Sequence, residues 1–446
     1  MKKQLAGWLS KRKRELIFTG IIFVLLTLWA LFQPFDAGPD EAMRYQIPTY
    51  IYKYHRLPDG RDELLRDPQW GTSYGFGPQL AYICQAVLMT MTGWIIHIPD
   101  ALKFAARIVS VLSGTATVWL SILIAEQLFE ETYRPLFVAL TALLPQALYL
   151  ATYVNNDSMA LFGTALIVYM WIMGAKSEWK YRYCVGLALG IVVCTLTYFN
   201  SYGFILCSIL FLFGSLFCMK KPVEEIAAKS LLIAGIVILL SFWYFIRNYM
   251  LYDGDFLGMK ISTEYAEMYA IDSLKPSMRQ TPYHMGQSFA EMFFGESEWF
   301  ALSWKSFIGV FGYMAVYMKQ RHYYFYGGLF TLAVLGFFFR KKVKSTRMQK
   351  LFTAVMAVSA VIPFGLSLYN SYYGDYQPQG RYLMPMLIPL MFFVTKGLAS
   401  LMEAFVKPEK RRTAVCLIAM AIAVVTAYVY VVLWFGTYKD GLNLIT

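Results

Sequence analysis

Long apolar runs dominate this 446-residue chain, in which 58% of the residues are hydrophobic and only 15% are charged. Most of the runs reach about seventeen residues or more with few charges, which is the length that crosses about 30 Å of hydrocarbon. Lipid offers no hydrogen-bond partners to a polypeptide backbone, so such runs have to be helices. The sequence therefore predicts an all-α fold, a polytopic transmembrane helical bundle. The first run, LIFTGIIFVLLTLWALF, has no small-residue cleavage site after it and is expected to be a retained span.

The positive charge of the chain lies in the gaps between the apolar runs. The formal net charge is +12, and the basic clusters read KKQLAGWLSKRKR, KSEWKYR, KKPVEEIAAK, RKKVKSTRMQK and KPEKRR. This pattern is typical of cytoplasmic loops, which also contact anionic lipid headgroups. We therefore expect membrane lipids, and no nucleic acid, as partners of these clusters. The six cysteines fall in apolar segments without metal-ligand spacing, which favours small core residues.

Parity fixes the rest of the topology if the five basic gaps are cytoplasmic. It gives about eleven spans, beginning with residues 16–33, in a plasma membrane with the N-terminus inside. Residues 34–101 and 251–321 are then outside, and they hold most of the Asp and Glu residues, so the active face is expected there. Residues 79–97 cannot cross once without breaking parity, and we expect an interfacial or re-entrant helix. No soluble stretch interrupts the spans, which indicates one domain, residues 1–446.

The first outer segment opens with PDEAMRY, which brings two carboxylates and an arginine to the membrane boundary. Pro39 suits the first turn of a helix, and Asp40 and Glu41 near its N-terminus suit the helix dipole. Asp40 and Arg44 are four residues apart and can pair on one face. The alternative is an ordinary helix start at the surface, but carboxylates held at a lipid boundary are costly and usually have a function.

Another acidic residue lies in YVNNDSMA, at the outer end between two spans. Asn155, Asn156 or Asp157 would each cap the helix that begins at Ser158. Taken alone, the motif favours this capping role over a catalytic one.

The outer stretch SLYNSYYGDYQPQGRYLMP contains Arg381, flanked by Gln379, Gly380 and Tyr382. The planar fork of an arginine can bind a phosphate at this depth. The alternative is an anchor in an aromatic belt, since tyrosine is abundant here. Two weaker candidates of the same kind lie at other outer positions, Arg247 in YFIRNYM and Lys305 in WKSFIG.

Together these segments resemble the GT-C superfamily of polytopic glycosyltransferases, which take a sugar from a polyprenyl-phosphate carrier on the outer face of the membrane. DEAMRYQIP resembles the opening of the first outer loop in the lipid A aminoarabinose transferases, and its acidic pair resembles that of the protein O-mannosyltransferases. PDE, VNND, SFIGVFG and QGRYLMP resemble recurrent segments of an uncharacterised bacterial subfamily. This chain departs from the named families because no large soluble domain follows its spans.

The resemblance implies a GT-C-like bundle with juxtamembrane helices in the first outer loop. The implied activity transfers a sugar from polyprenyl phosphate to a cell-wall polysaccharide, teichoic acid, glycolipid or protein. Asp40 would be the catalytic base, and Glu41 would orient the acceptor or tune Asp40. The substrate-binding candidates are Arg44, Asn156, Asp157, Arg247, Lys305, Gln379, Arg381 and Tyr382.

A divalent metal would find oxygen ligands in Asp40, Glu41 and Asp157. Some relatives with paired acidic loops use one and others do not, and we expect neither a metal nor another cofactor. The sequence has no P-loop, GxSxG or HExxH motif, which argues against ATP hydrolysis, a serine nucleophile and a zincin.

A transporter or flippase for a lipid-linked sugar is the main alternative from another functional class. It should carry charges near the bilayer midplane or broken helices, whereas the spans read as unbroken and free of such charges. A polysaccharide polymerase or ligase is a second alternative, and a non-catalytic scaffold is a third.

Overall fold

The computed structural model describes residues 12–340 and 344–438, and within these ranges the chain is a bundle of α-helices. In chain order they are α1 (Lys13–Phe32), α2 (Glu41–Tyr54), α3 (Leu80–Gly93), α4 (Pro99–Leu128), α5 (Arg134–Ala142), α6 (Pro145–Leu150), α7 (Asp157–Lys176), α8 (Tyr181–Thr197), α9 (Gly203–Cys218), α10 (Val223–Leu251), α11 (Met259–Tyr269), α12 (Phe289–Phe294), α13 (Trp299–Gly309), α14 (Gln320–Phe338), α15 (Arg347–Tyr373), α16 (Leu387–Phe405), α17 (Pro408–Tyr428) and α18 (Phe435–Tyr438).

Short elements connect these helices. The 3₁₀ turns are Glu63–Leu65, Tyr74–Phe76, Phe199–Ser201, Asp272–Leu274, Pro276–Met278 and Gly380–Met386, and a π-helical stretch runs over Val429–Trp434. Two strands, β1 (Val310–Phe311) and β2 (Val316–Tyr317), form an antiparallel hairpin. The prediction of an all-α membrane bundle is confirmed.

Eight helices of the described residues are long and apolar enough to cross a membrane: α1, α4, α7, α9 with the turn before it, α10, α15, α16 with the turn before it, and α17. The predicted spans near 183–199 and 322–340 correspond to α8 and α14, which are 17 and 19 residues long. Residues 79–97 contain α3, whose 14 residues extend about 21 Å. A helix of that length is too short to cross the hydrocarbon core. Its length is that of an interfacial or re-entrant helix.

The prediction of unbroken spans was wrong for residues 135–152. This stretch forms two short helices, α5 and α6, because Pro145 has no N–H to continue the first of them. The carbonyl of Leu143 at the break accepts a hydrogen bond of 2.7 Å from the hydroxyl of Thr426. Arg107 is a buried charge within the apolar helix α4, but it lies near the start of that helix, away from its middle, and so does not contradict the prediction of no charge near the midplane.

Ion pairs define two opposite ends of the bundle. At one end, Arg12 before α1 pairs with Glu126 near the end of α4 at 2.8 Å. At the other end, Glu41 shortly after α1 pairs with Arg107 near the start of α4 at 2.7 Å. Arg107 and Glu126 are separated by about 28 Å along α4, which is close to the thickness of the hydrocarbon core.

Two basic gaps also lie at the Arg12 end, where Lys176 bonds to Gln127 and Lys221 to Glu178. The parts of the first and fourth basic clusters at residues 1–11 and 341–343 lie outside the described residues, as does the C-terminal segment 439–446.

Three spans form the centre of the bundle. In the most apolar stretches of α4, α7 and residues 380–405, 61%, 67% and 78% of the residues are buried, against 22–28% for α1, α10, α15 and α17. All three central spans begin at the end of the bundle where Glu41 lies, opposite Arg12. The most buried helices thus converge on that end.

The second long segment, residues 252–319, packs around the same end. The stretch SFIGVFGYMAVYM, expected to lie flat on the membrane, forms the end of α13 and the β1–β2 hairpin. The hairpin is held by Tyr313, which donates a hydrogen bond of 2.7 Å to Asp36, and by the N–H of Gly312, which donates to Tyr149 at 3.0 Å.

Candidate active site

Asp40 stands at the junction between the loop after α1 and the first turn of α2. Its backbone is left-handed, with φ of 60°, and its side chain makes no capping bond to the helix. Instead its Oδ2 accepts hydrogen bonds from Arg381 at 2.8 Å and from the hydroxyl of Tyr74 at 2.9 Å. The side chain remains 27% exposed, and Oδ1 accepts none of the hydrogen bonds among the described residues. One carboxylate oxygen is therefore held, and the other is open.

The surroundings of Asp40 keep it ionised. Burial raises the pKa of this carboxyl, but the attraction of Arg381 and Arg44 and the hydrogen bonds from Arg381 and Tyr74 outweigh it, so the pKa lies below its usual value. At neutral pH the group is thus a carboxylate that can accept a proton.

Arg381 is buried in the 3₁₀ turn Gly380–Met386, with 6% of its side chain exposed. Its Nη2 donates to Asp40 and, at 3.0 Å, to the hydroxyl of Tyr382. Its Nε and Nη1 are buried and have no hydrogen-bond partner among the described residues. Buried guanidinium donors are costly when unsatisfied, so these two atoms indicate a place where an anionic ligand fits.

Gly380 allows Arg381 to take this position. The N–H of Gly380 donates to the hydroxyl of Ser306 in α13 at 2.9 Å. A Cβ at residue 380 would lie 2.0 Å from the backbone nitrogen of Phe307, so no other residue permits so close an approach.

Arg44 connects α2 to the start of α7. Its Nη1 donates to Asp157 at 2.5 Å and to Asn156 at 2.8 Å, while Asp40 is 4.0 Å from its Nη2. The pairing with Asp40 predicted from the i, i+4 spacing is present, but Asp157 is the nearer partner. Asp157 does not cap α7 with its side chain, because Asn155 accepts the hydrogen bond from the N–H of Ser158 at 2.9 Å. Asp157 is buried, and its Oδ1 has no partner among the described residues.

Glu41 faces away from Asp40 and is fully buried. Both of its oxygens accept hydrogen bonds from Arg107, at 2.7 and 2.8 Å, and each also accepts a backbone N–H at 3.0 Å, from Val154 and Asp36. Arg107 in turn donates to the carbonyl of Ala30 in the last turn of α1 and to those of Gln33 and Pro34 just after it. Glu41 thus has no open oxygen for an acceptor, and the geometry favours a positioning role for it.

The remaining candidates lie at different distances from Asp40. Tyr382 belongs to the cluster through Arg381 and also donates to Gln377. Gln379 precedes Gly380 and is half-buried, and Lys305 is half-buried on α13 next to Ser306. Arg247 is not part of the cluster: it donates to the carbonyl of Pro58 at 2.6 Å and lines a separate cavity.

Pro39 was expected in the first turn of α2 but precedes it, because α2 begins at Glu41. Two partners in the cluster, Tyr74 and Arg107, were not among the residues predicted from the sequence. Tyr74 lies in the glycine-rich loop between α2 and α3 and gives no local signal. Arg107 does give one, since an arginine within an apolar span usually has a structural or functional partner.

Each of the three candidate metal ligands has an arginine beside it: Arg381 bonds to Asp40, Arg107 to Glu41 and Arg44 to Asp157. Within residues 12–340 and 344–438 no group of three or more His, Cys, Asp or Glu side chains is arranged to hold a metal ion. The cluster therefore combines three acid–arginine pairs, with unused hydrogen-bonding atoms on Asp40, Asp157 and Arg381.

The fold matches those of two solved transferases. It is similar to ArnT from Cupriavidus metallidurans bound to undecaprenyl phosphate, with a TM-score of 0.54 and 13% identity, over 90% of this chain and 63% of that one. It is also similar to the archaeal oligosaccharyltransferase AglB from Archaeoglobus fulgidus in complex with an inhibitory peptide and a dolichol-phosphate, with a TM-score of 0.52 and 12% identity, over 95% of this chain and 56% of that one. The chain spans less than two thirds of either neighbour, and the expected GT-C-like fold is confirmed.

Sequence comparison finds a family and no individual relative. The model of the family described as "Predicted membrane protein (DUF2142)" matches residues 68–391, which is more than two thirds of the chain. Asp157 and Arg381 lie inside the matched region, and Asp40 precedes it. No curated protein matches the sequence.

Proposed function

We propose, on the premise that this chain belongs to the DUF2142 family of membrane proteins, that it is a glycosyltransferase. It moves a sugar from a polyprenyl-phosphate carrier to a hydroxyl of an acceptor on the outer face of the cytoplasmic membrane. The acceptor is a cell-wall polysaccharide, teichoic acid, glycolipid or protein.

One observation carries this proposal: an ionised carboxylate with an open oxygen is joined to an arginine with two unsatisfied buried donors. Asp40 Oδ1 can take a proton, and Arg381 Nε and Nη1 can bind a phosphate. The opposite end of the bundle carries the basic gaps, which suits a cytoplasmic location for that end and an outer location for Asp40. The GT-C-like fold adds support, since both neighbours were solved with polyprenyl-type phosphates.

The reaction is a displacement at the anomeric carbon of the donor sugar. The acceptor oxygen forms a bond to that carbon, and the bond from the carbon to the phosphate oxygen breaks with its electron pair staying on the phosphate. The hydroxyl proton goes to Asp40 Oδ1 and then to water. Such general-base assistance contributes about 10²–10⁴-fold, and stabilising the departing phosphate contributes more.

Arg381 links the two halves of this reaction. In the free protein its attraction holds the pKa of Asp40 below the usual value, which makes the carboxylate a weak base. A phosphate bound to Nε and Nη1 offsets part of the guanidinium charge, and the pKa of Asp40 then rises towards the range of a better base. The donor thereby activates the group that deprotonates the acceptor.

Arg381→Gln is expected to lower kcat/KM by about a hundredfold or more, because a charged donor to the phosphate is lost. The acid limb of the pH profile is expected to move to higher pH. In the wild type activity falls only as the pH drops through the lowered pKa of Asp40; without Arg381 that pKa is higher, so activity begins to fall at a higher pH. Measuring kcat/KM against pH checks both effects, with the exposed Arg321→Gln as the matched control. An unchanged acid limb would separate Arg381 from the base.

We further propose that transfer needs no divalent metal. Support comes from the three carboxylates, each of which already has a guanidinium partner. Purified protein dialysed against EDTA is expected to keep its transfer rate within about twofold, in the range of a small free-energy change. Loss of activity that Mg²⁺ or Mn²⁺ restores would contradict this.

A flippase is the second candidate, and the broken span between α5 and α6 is the observation that favours it. The break is formed by Leu143 and Leu144, however, and the carbonyl of Leu143 is already bonded to Thr426. It thus offers no charged ligand for a substrate. The test is to incubate purified protein with polyprenyl-phosphate sugars and acceptor candidates in mixed micelles. Release of polyprenyl phosphate supports the transferase, whereas movement of intact lipid across a vesicle bilayer without cleavage supports the flippase.

A further inference from the structure

A cavity apart from the Asp40 cluster lies between the end of α10 and the segment that follows α2. Its volume is about 790 Å³, and its polar wall includes Arg56, Asp59, Asp62 and Arg247. Pockets that bind small ligands have volumes of about 300–1,000 Å³. Arg247 was a candidate for the donor phosphate, and its position here calls for another role.

The two arginines of this cavity have no carboxylate partner. Arg247 donates to the carbonyl of Pro58 at 2.6 Å, and Arg56 donates to the hydroxyl of Tyr50 at 2.8 and 3.1 Å. Among the described residues neither has an acidic oxygen within ion-pair distance. Asp59 is taken by Arg61, at 2.8 Å. Two guanidinium groups, on the exposed Arg56 and the half-buried Arg247, thus line one cavity without a direct ion pair, and Asp59 attracts Arg247 only from a distance.

The opposite wall of the cavity is apolar and faces the membrane. Trp243, Ile246 and Met250 lie on one face of α10, at the spacing that brings side chains together. Their exposed fractions are 36%, 47% and 77%. In the most apolar stretch of α10 only 22% of the residues are buried, so this exposed face suits contact with lipid chains. The cavity therefore has a polar half at the membrane boundary and an apolar half within reach of acyl chains.

We propose that this cavity binds one glycerophospholipid with a hydroxylated, anionic headgroup. The phosphodiester lies between Arg56 and Arg247, and an acyl chain follows Trp243 and Met250 along α10. Asp62 accepts from the headgroup hydroxyls, next to its contacts with the N–H of Leu64, at 3.1 Å from Oδ1, and with the hydroxyl of Tyr50.

Charge complementarity favours this lipid over a polyprenyl phosphate. A polyprenyl monophosphate has up to two negative charges and no hydroxyl donors, so Asp59 and Asp62 in the same wall would repel it. A phosphodiester with hydroxyls has one negative charge for the arginines and donors for the carboxylates. The proposal goes beyond the transferase function and does not depend on it.

The test measures bound lipid on the full-length protein purified in mild detergent. Native mass spectrometry is expected to find about one phosphatidylglycerol per wild-type chain after exchange with phosphatidylglycerol micelles. The double variant Arg56→Gln/Arg247→Gln is expected to bind it at least tenfold more weakly. The control Lys260→Gln/Arg321→Gln removes the same charge from exposed positions elsewhere and is expected to bind as the wild type does.

Further variants make the outcome decisive. Arg247→Lys keeps the charge without the planar fork, so its binding of phosphatidylglycerol is expected to be intermediate. This variant tests the proposal if the double variant does not fold. Asp40→Asn is expected to keep the bound lipid while losing transfer, which separates this site from the proposed activity. Equal retention by the double variant, equal loss by the control, or displacement of phosphatidylglycerol by equimolar undecaprenyl phosphate would overturn the proposal.

Discussion

Asp40→Asn is expected to lower the rate of sugar transfer by about 10²–10⁴-fold and to leave the melting temperature close to that of the wild type. Asparagine has the same shape, tolerates the left-handed backbone at residue 40, and its carbonyl oxygen can still accept hydrogen bonds from Arg381 and Tyr74. It cannot take up the acceptor proton. The loss should therefore lie in kcat, since the groups that bind the carrier phosphate are intact.

Transfer can be measured as polyprenyl phosphate released by purified protein in micelles, together with thermal unfolding of the same sample. Asp100→Asn is the matched control, because this acid lies in the first turn of α4, at the end of the segment that also carries Asp40, is exposed, and forms its one ion pair among the described residues with Lys103. A variant at residue 40 that keeps most of its activity would show that another group accepts the proton. A variant that unfolds would show that Asp40 is needed for the fold instead.

Arg107→Leu is expected to lower the free energy of unfolding by about 3–5 kcal/mol, because it leaves the carboxylate of Glu41 buried without a partner. It also removes the donor to three carbonyls at the end of α1. The segment that carries Asp40 is attached to α4 through this pair, so transfer should be lost with stability. Melting of the purified variant in detergent measures the first effect.

The double variant Glu41→Leu/Arg107→Leu distinguishes charge burial from positioning. Removing both charges avoids the unpaired carboxylate, and we expect it to recover part of the stability lost in Arg107→Leu. Activity should remain low, because the N–H groups of Asp36 and Val154 lose the acceptor that fixes the loop around Asp40. Recovery of activity together with stability would show that the pair does not position the base.

The sequence predicted the bundle well because its signals are local. The length of an apolar run is read from the run itself, so the spans and the two long segments between them follow directly from the sequence. The break at Pro145 was missed because the surrounding residues are as apolar as an unbroken span. Arg107 was overlooked although an arginine in an apolar run is itself a signal.

The site was only partly predictable. Asp40, Asp157 and Arg381 were identified from short motifs, and the structure brings these three into one cluster through Arg44. Glu41 stands next to Asp40 in sequence and points away from it, since adjacent residues at a helix start do not share a face. Arg247 resembled Arg381 in the sequence, with both at predicted outer boundaries among aromatic residues, yet Arg247 lines a cavity that Arg381 does not line.

The sequence by itself determined that this chain is a multi-pass helical membrane protein with acidic residues concentrated in the loops away from its basic gaps. Only the tertiary structure decided which charges meet. Arg381 and Asp40 are 341 residues apart and bond at 2.8 Å, and Glu41 pairs with an arginine 66 residues away rather than with its neighbours. The physical reason is that burial makes an unpaired charge costly, and the partner that relieves this cost is chosen by helix packing across the bundle.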